Sequence, residues 1–238
     1  MNTTLDSTIG EIVAADFRTA AVFHRHGIDF CCRGGRLFPA ACQEQGVDPE
    51  RLLAELDEAR RSDGPAPPDF ASWDELTLID YIVSHHHEYV RAITPTLIAH
   101  TEKVARVHGG THPELGEVSA LMAGVAREMA THMLKEEHIL FPHIHAMAQA
   151  AQQGCPPPPS PFGTVENPIR MMETEHESAG EAMARIRELT GGFVPPSDAC
   201  ATYRVCLQEL DAFEQDLHQH VHLENNLLFP KARRLDAR

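Results

Sequence analysis

The sequence predicts an all-α protein: a small helical N-terminal domain followed by an antiparallel four-helix bundle. Three observations predict it. Long stretches of helical periodicity lie between helix start and stop signals. No stretch shows the period-two alternation of a half-buried strand. A pattern also repeats, because His132-Met133-Leu134-Lys135-Glu136-Glu137 and the following Leu140-Phe141-Pro142 resemble His220 to Glu224 and Leu228-Phe229-Pro230. Two helical hairpins related by duplication produce such a repeat.

The boundaries read as residues 1–62 for the first domain, 63–71 for a linker and 72–238 for the bundle. In the first domain, Thr8 and Glu11 fit a capping box. Ile12, Val13, Phe17, Ala20, Ala21 and Phe23 supply an apolar face, and Gly27 a stop. Gly34 and Gly35 permit a tight connection after Cys31-Cys32-Arg33. Asp48, Pro49 and Glu50 read as the start of a helix reaching about Arg61. Pro65, Pro67 and Pro68 mark the linker. Ser72 with Glu75 fits a second capping box, opening a helix to about Val107. His112-Pro113-Glu114 opens the next, to about Ala150. Pro156 to Pro159 exclude a helix there. Asn167-Pro168 opens the third, ending near Gly191, and Pro195-Pro196-Ser197 the fourth, ending near Arg234. Short loops make antiparallel neighbours the default.

Composition narrows the function. Lys and Arg total 20 against 35 Asp and Glu, a net charge of −15. Such a chain is a poor non-specific binder of nucleic acid and lacks the basic patch that holds a protein to an anionic membrane. No apolar run reaches the ~18 residues of a membrane span. Met1 to Glu11 lacks the basic and apolar regions of a signal peptide, so a cytoplasmic protein is expected. Six Cys show no CxxC pair, and a disulfide scaffold is not expected.

Histidine is the outlier, with 16 residues, roughly three times ordinary usage. His132 and Glu136 lie about 40° apart on one helix face, as do His220 and Glu224. A single pair of this kind is more often a surface ion pair. Here it recurs at matching places in two repeats, and the other two helices each carry a candidate His: one of His85, His86 and His87, and His176. Four His and two Glu, drawn from all four helices, are the ligand inventory of a carboxylate-bridged dinuclear centre. Imidazole with carboxylate suits iron, manganese or zinc, and open positions favour a redox-capable pair of irons. Glu128 and Asp216, each four residues before a ligand His, are expected to accept the free imidazole N–H. His138, His218 and His222 are expected to face outward. His143 is a reserve ligand, and Glu173 a seventh ligand or an outer acid. Cys31 and Cys32 read either as a thiol site for iron or nitric oxide or as one buried residue and a bystander. Cys42, Cys155, Cys200 and Cys206 read as ordinary small residues.

Two motifs together resemble a known family. Gly27-Ile28-Asp29-Phe30-Cys31-Cys32-Arg33-Gly34-Gly35 resembles the signature of the ScdA-type N-terminal domain. The bundle, with its His-Met-x-Lys-Glu-Glu and Leu-Glu-Asn-Asn runs, resembles a hemerythrin-like domain. The two in this order resemble the RIC family (repair of iron centres). The resemblance implies a non-haem di-iron centre held by His87, His132, Glu136, His176, His220 and Glu224, with both Glu bridging, and it selects His87 among the three adjacent histidines. An oxo or hydroxo bridge is left open, as is a homodimer. It implies repair of iron–sulfur proteins damaged by nitric oxide or oxidative stress, by donation of iron, with Cys31 and Cys32 aiding transfer. Arg33 departs from the Cys-Cys-Gly-Gly that many members carry. Competing expectations are binding or scavenging of nitric oxide or dioxygen, reduction of nitric oxide, and a metal-dependent sensor.

Overall fold

A computed structural model describes residues 6–61 and 67–237. Among these residues every regular element is helical, and strand-type pairing is limited to one isolated bridge, Thr8 to Leu37. The first element is α1 (Ile9–Ala15), capped by the Thr8 and Glu11 box. The sequence led us to expect this helix to continue, but Asp16 breaks it. Asp16 adopts an extended backbone (φ −160°, ψ 106°), and its carboxylate accepts the Arg18 backbone N–H, opening a 3-10 turn at Phe17–Thr19. Next come α2 (Ala20–Arg25), α3 (Phe38–Gln45) and α4 (Pro49–Arg60). Gly27 ends α2 with φ 66°, and Asp48 caps α4 as expected. Helix α3 was not anticipated; Phe38, Ala41 and Cys42 bury its inner face.

The linker expected at 63–71 lies partly outside the described residues. Its described end is ordered: Phe70–Ser72 forms a 3-10 turn, and Phe70 packs at 2% exposure against Trp73 and Tyr81. Ser72 belongs to this turn and is not a helix cap, because its hydroxyl donates to Asp69 O. Asp74 caps α5 instead, accepting the Thr77 N–H at 2.8 Å.

Four helical rods follow. The first comprises α5 (Glu75–Tyr81), a π-helical stretch Ile82–His87 and α6 (Glu88–His108). The second comprises α7 (Leu115–Lys135), a π stretch Glu136–Leu140 and α8 (Phe141–Gln152). The third is the unbroken α9 (Glu166–Leu189). The fourth comprises α10 (Ala201–His222), a π stretch Leu223–Leu228 and α11 (Phe229–Asp236). Helix α6 packs on α7, α7 on α9, α9 on α10 and α10 on α6, which closes the bundle. No helix among the described residues is long and apolar enough to cross a membrane.

Two apolar clusters fill the interior. One joins Ile9, Phe23, Phe38 and Leu52 of the N-terminal helices to Leu97, Met122, Met183 and Leu210 of the bundle. The other joins Leu78, Ile82, Ile144, Ile169, Leu228 and Phe229. On every rod the break between the clusters falls where a buried His or Glu stands.

Candidate metal centre

The break between the clusters is a polar layer. His87, His132, Glu136, His176, His220 and Glu224 are each 0–1% exposed. Burying two carboxylates together costs far more than apolar burial nearby returns, unless positive charge joins them. Their ligand atoms form two groups, each able to hold a cation: His87, Glu136, His220 and Glu224, and His132, Glu136, His176 and Glu224. The carboxylates belong to both groups. Glu136 Oε2 lies 3.3 Å from His87 Nε2 and 3.3 Å from His132 Nε2. Glu224 divides its oxygens, Oε2 at 3.0 Å from His176 Nε2 and Oε1 at 3.1 Å from His220 Nε2.

Outward-facing contacts set three of the four imidazole tautomers. His87 Nδ1 donates to Glu137 at 2.6 Å, His132 Nδ1 to Glu175 at 2.9 Å and His176 Nδ1 to Asn225 Oδ1 at 3.0 Å. A neutral ring that donates through Nδ1 points the Nε2 lone pair inward. The Nε2 lone pairs of His132 and His176 then face each other at 3.0 Å, while the His87 lone pair faces His220 Nε2 at 3.2 Å. Two lone pairs at that range repel unless a proton or a cation lies between them. Both oxygens of Glu136 and Oε2 of Glu224 also lack hydrogen-bond partners. The donor set therefore fits metal cations.

Without cations, protons take their place. Burial pulls the His132 imidazolium down, but Glu136 beside it prevails and pushes its pKa up to about 10. Burial likewise opposes charge on Glu224, but His220 and His176 hold its carboxyl well below the usual range. At His220 burial prevails, and its pKa falls.

The outer acceptors differ from expectation. Glu128 accepts a hydrogen bond from Ser178, and Asp216 faces His86 Nδ1 at 2.9 Å, so neither meets a histidine of the layer. Each points off its own helix, where an adjacent rod offers a closer partner. Glu137 and Glu175 take their places, each also paired with a cation, Arg91 and Lys135 respectively. Glu137 follows Glu136 directly in the sequence, and Glu175 precedes His176. His86 stacks on His220 with centroids 5.5 Å apart and planes 4° apart. His143 packs against Phe162 outside both groups, and Glu173 pairs with Arg233. His138 is exposed as expected. His222 is not: it is 1% exposed, wedged between Phe17 and Phe30 of the N-terminal domain. His218 also faces that domain, against His24 and Phe30. Their outward face is outward only from the bundle, and the N-terminal helices cover it.

That covering brings the cysteines close to the layer. One oxygen of Asp29 accepts the backbone N–H groups of Cys31 and Cys32 at 2.9 and 3.0 Å. The two Sγ atoms lie 4.0 Å apart as free thiols. Hydrogen bonding to Cys32, with burial, raises the Cys31 pKa well above its ordinary value. Cys32 is half-buried and borders two clefts, of about 630 and 720 Å³. Asn226 Nδ2 donates to Phe30 O and Cys31 O at 3.1 and 3.0 Å. Asn225 Nδ2 reaches Cys31 O at 3.5 Å while its Oδ1 holds His176. The cysteine loop thus touches a histidine of the buried layer through one side chain. Cys200 is another departure from expectation: its exposed thiol sits 3.2 Å from His108 Nε2 at the start of α10, and that hydrogen bond brings its pKa down to about 7.

Comparison with known proteins agrees with this architecture. Residues 5–60 match the ScdA_N family, described as a domain of unknown function, and residues 78–232 match the hemerythrin HHE cation binding domain. The chain is 34% identical over 229 residues to the iron-sulfur cluster repair protein YtfE of Yersinia pseudotuberculosis, covering 96% of this chain and 97% of that protein. It is 35% identical over 232 residues to the YtfE of Pectobacterium carotovorum, with the same coverage. The chain belongs to the RIC family, whose members join an ScdA-type domain to a hemerythrin-like, cation-binding bundle.

Proposed function

We propose that this protein repairs iron–sulfur clusters damaged by nitric oxide or oxidative stress, by donating iron from a di-iron centre. His87 and His220 would hold one ion, His132 and His176 the other, and Glu136 and Glu224 would bridge them. The centre supplies the iron that a damaged cluster has lost. The observation that carries the reading is the cysteine loop seated on the ligand layer, with Asn225 in contact with both Cys31 O and His176 Nδ1. A protein that only stores or binds a small gas needs no thiols there.

The residues perform three tasks in this reading. Glu137, Glu175 and Asn225 keep the imidazole lone pairs aimed inward. Glu136 and Glu224 would offset the charge of cations held there and would weaken their hold when protonated. His132, whose pKa is about 10 in the cation-free layer, would hold a proton whenever no cation occupies its nitrogen. The two apolar clusters on either side keep bulk water away. Names carried by the relatives support the repair role, and the half-open Cys32 gives the iron a soft ligand at the surface.

The test is transfer. Iron-loaded protein, kept without oxygen, is mixed with an iron–sulfur protein whose cluster was destroyed by nitric oxide, and the client's activity is followed. Recovery with matching iron loss is expected for the wild type, and slower recovery for Cys31→Ser/Cys32→Ser. Consumption of nitric oxide with all iron retained and no client recovery would support scavenging instead.

A further inference from the structure

Two histidines outside the ligand layer meet a buried carboxylate where the N-terminal helices join the bundle. His24 stands in the last turn of α2. Glu214 and His218 stand one turn apart on α10, hence on one face. His24 Nε2 lies 3.4 Å from Glu214 Oε2, and the His24 and His218 rings are 5.4 Å apart. One ligand atom from each of the three residues falls within 4.8 Å of the others. Metal bonds of about 2.1 Å place two ligands of one ion roughly 3 to 3.5 Å apart, so side-chain rotation alone brings the three onto one cation.

Burial grades across the group. Glu214 is 2% exposed, whereas the His24 side chain is 30% exposed. The group lines the cleft of about 630 Å³ that Cys31 and Cys32 also border. An ion entering there meets imidazole nitrogens first and the carboxylate behind them. Glu214 is already neutralised by Arg187, whose Nε donates to it at 2.7 Å. Arg187 also donates to Asp211 at 3.0 Å and lies 4.6 Å over the Phe193 ring, so it keeps partners when a cation takes the carboxylate.

We propose that His24, Glu214 and His218 form a second cation site, separate from the central layer, that takes one divalent transition ion from the cleft. Two imidazoles and one carboxylate with open positions suit ferrous iron, and cobalt(II) and zinc fit the same donors. The site lies between the domains, so its occupant also ties α2 to α10. It stands independently of the repair reading.

Cobalt(II) is the probe. Protein whose central layer is already filled with iron is dialysed to equilibrium against cobalt(II), and both metals are counted. The wild type is expected to take up one cobalt more than His24→Ala/His218→Ala, with equal iron in both. His24→Gln, which leaves α10 untouched, is expected to weaken cobalt binding by at least about tenfold, the scale on which losing even an outer partner of a metal acts. Cys31→Ser/Cys32→Ser is expected to keep the cobalt. Undiminished cobalt affinity in His24→Gln would overturn the proposal. So would cobalt lost only on cysteine substitution, with the thiolate-to-cobalt absorption band of the wild type lost with it.

Discussion

Glu136 and Glu224 lie fully buried and share their histidines, so the chemistry of the layer turns on what holds those histidines in place. Glu175 holds His132 and is in turn held by Lys135. Its own pKa is lowered to about 2, chiefly by the His132 hydrogen bond. Glu175→Gln removes that charge while keeping the shape. Metal affinity is expected to fall about 10- to 100-fold, read by competition with a chelator. Proton linkage gives a second expectation. The His132 pKa in the cation-free fold, about 10, lies above its ordinary 6.5. Its contribution to stability is therefore complete below about pH 6.5 and is lost as pH rises through about 10. Urea denaturation of the metal-free protein should show lower stability at pH 10 than at pH 6. Metal loading at pH 7 should release protons, measured by titration calorimetry in buffers of different ionisation enthalpy. Five residues of the layer were legible in the sequence because helical spacing and the repeat act along the chain, whereas His87 was singled out from His85 and His86 only by the family resemblance. Glu175 as the partner of His132 was not legible, because that contact crosses from α7 to α9.

At the scale of elements, each of the two buried carboxylates of the layer stands at a π turn. The Phe141 N–H bonds Glu136 O, and the Phe229 N–H bonds Glu224 O, each five residues back. Pro142 and Pro230 come next and have no N–H to donate, so a regular α-helix would lose a hydrogen bond and meet the proline ring. The wider turn relieves both, and such turns recur at functional sites. The Leu-Phe-Pro repeat was visible in the sequence, but its reading as a bend was not, since periodicity does not separate α from π over a few residues. The cysteine loop depends on close approach. A Cβ on Gly34 would stand 2.4 Å from Asn226 Oδ1 and 2.5 Å from Phe30 O, and a Cβ on Gly10 would stand 2.6 Å from the same Asn226 atom. Gly34→Ala must push the loop from the π turn. It is expected to destabilise the fold by about 1–3 kcal/mol in urea denaturation. It should also speed iron loss to a chelator, because Asn225 moves with its neighbour. Gly34 read in the sequence as a turn former; the need for both glycines to approach Asn226 arises only once the domains meet.

Across the whole molecule, one polar layer separates two apolar cores, and the core that contains Leu97 and Leu210 is shared between the N-terminal helices and the bundle. The bundle and its antiparallel order were readable from four periodic stretches and short loops. The burial of His222 and the partial covering of His218 were not, because helical phase reports the face relative to the bundle alone and is silent on a second domain covering it. The same covering places Cys31 and Cys32 beside the layer that their sequence position leaves remote. The most direct measurement is the metal content of protein purified without oxygen and reconstituted with ferrous iron, beside Glu136→Ala/Glu224→Ala. The account predicts about two irons per chain in the wild type, largely lost in the variant, as a carboxylate-bridged pair within a helical bundle requires. A single ion per chain, or iron fully retained without either carboxylate, would contradict it.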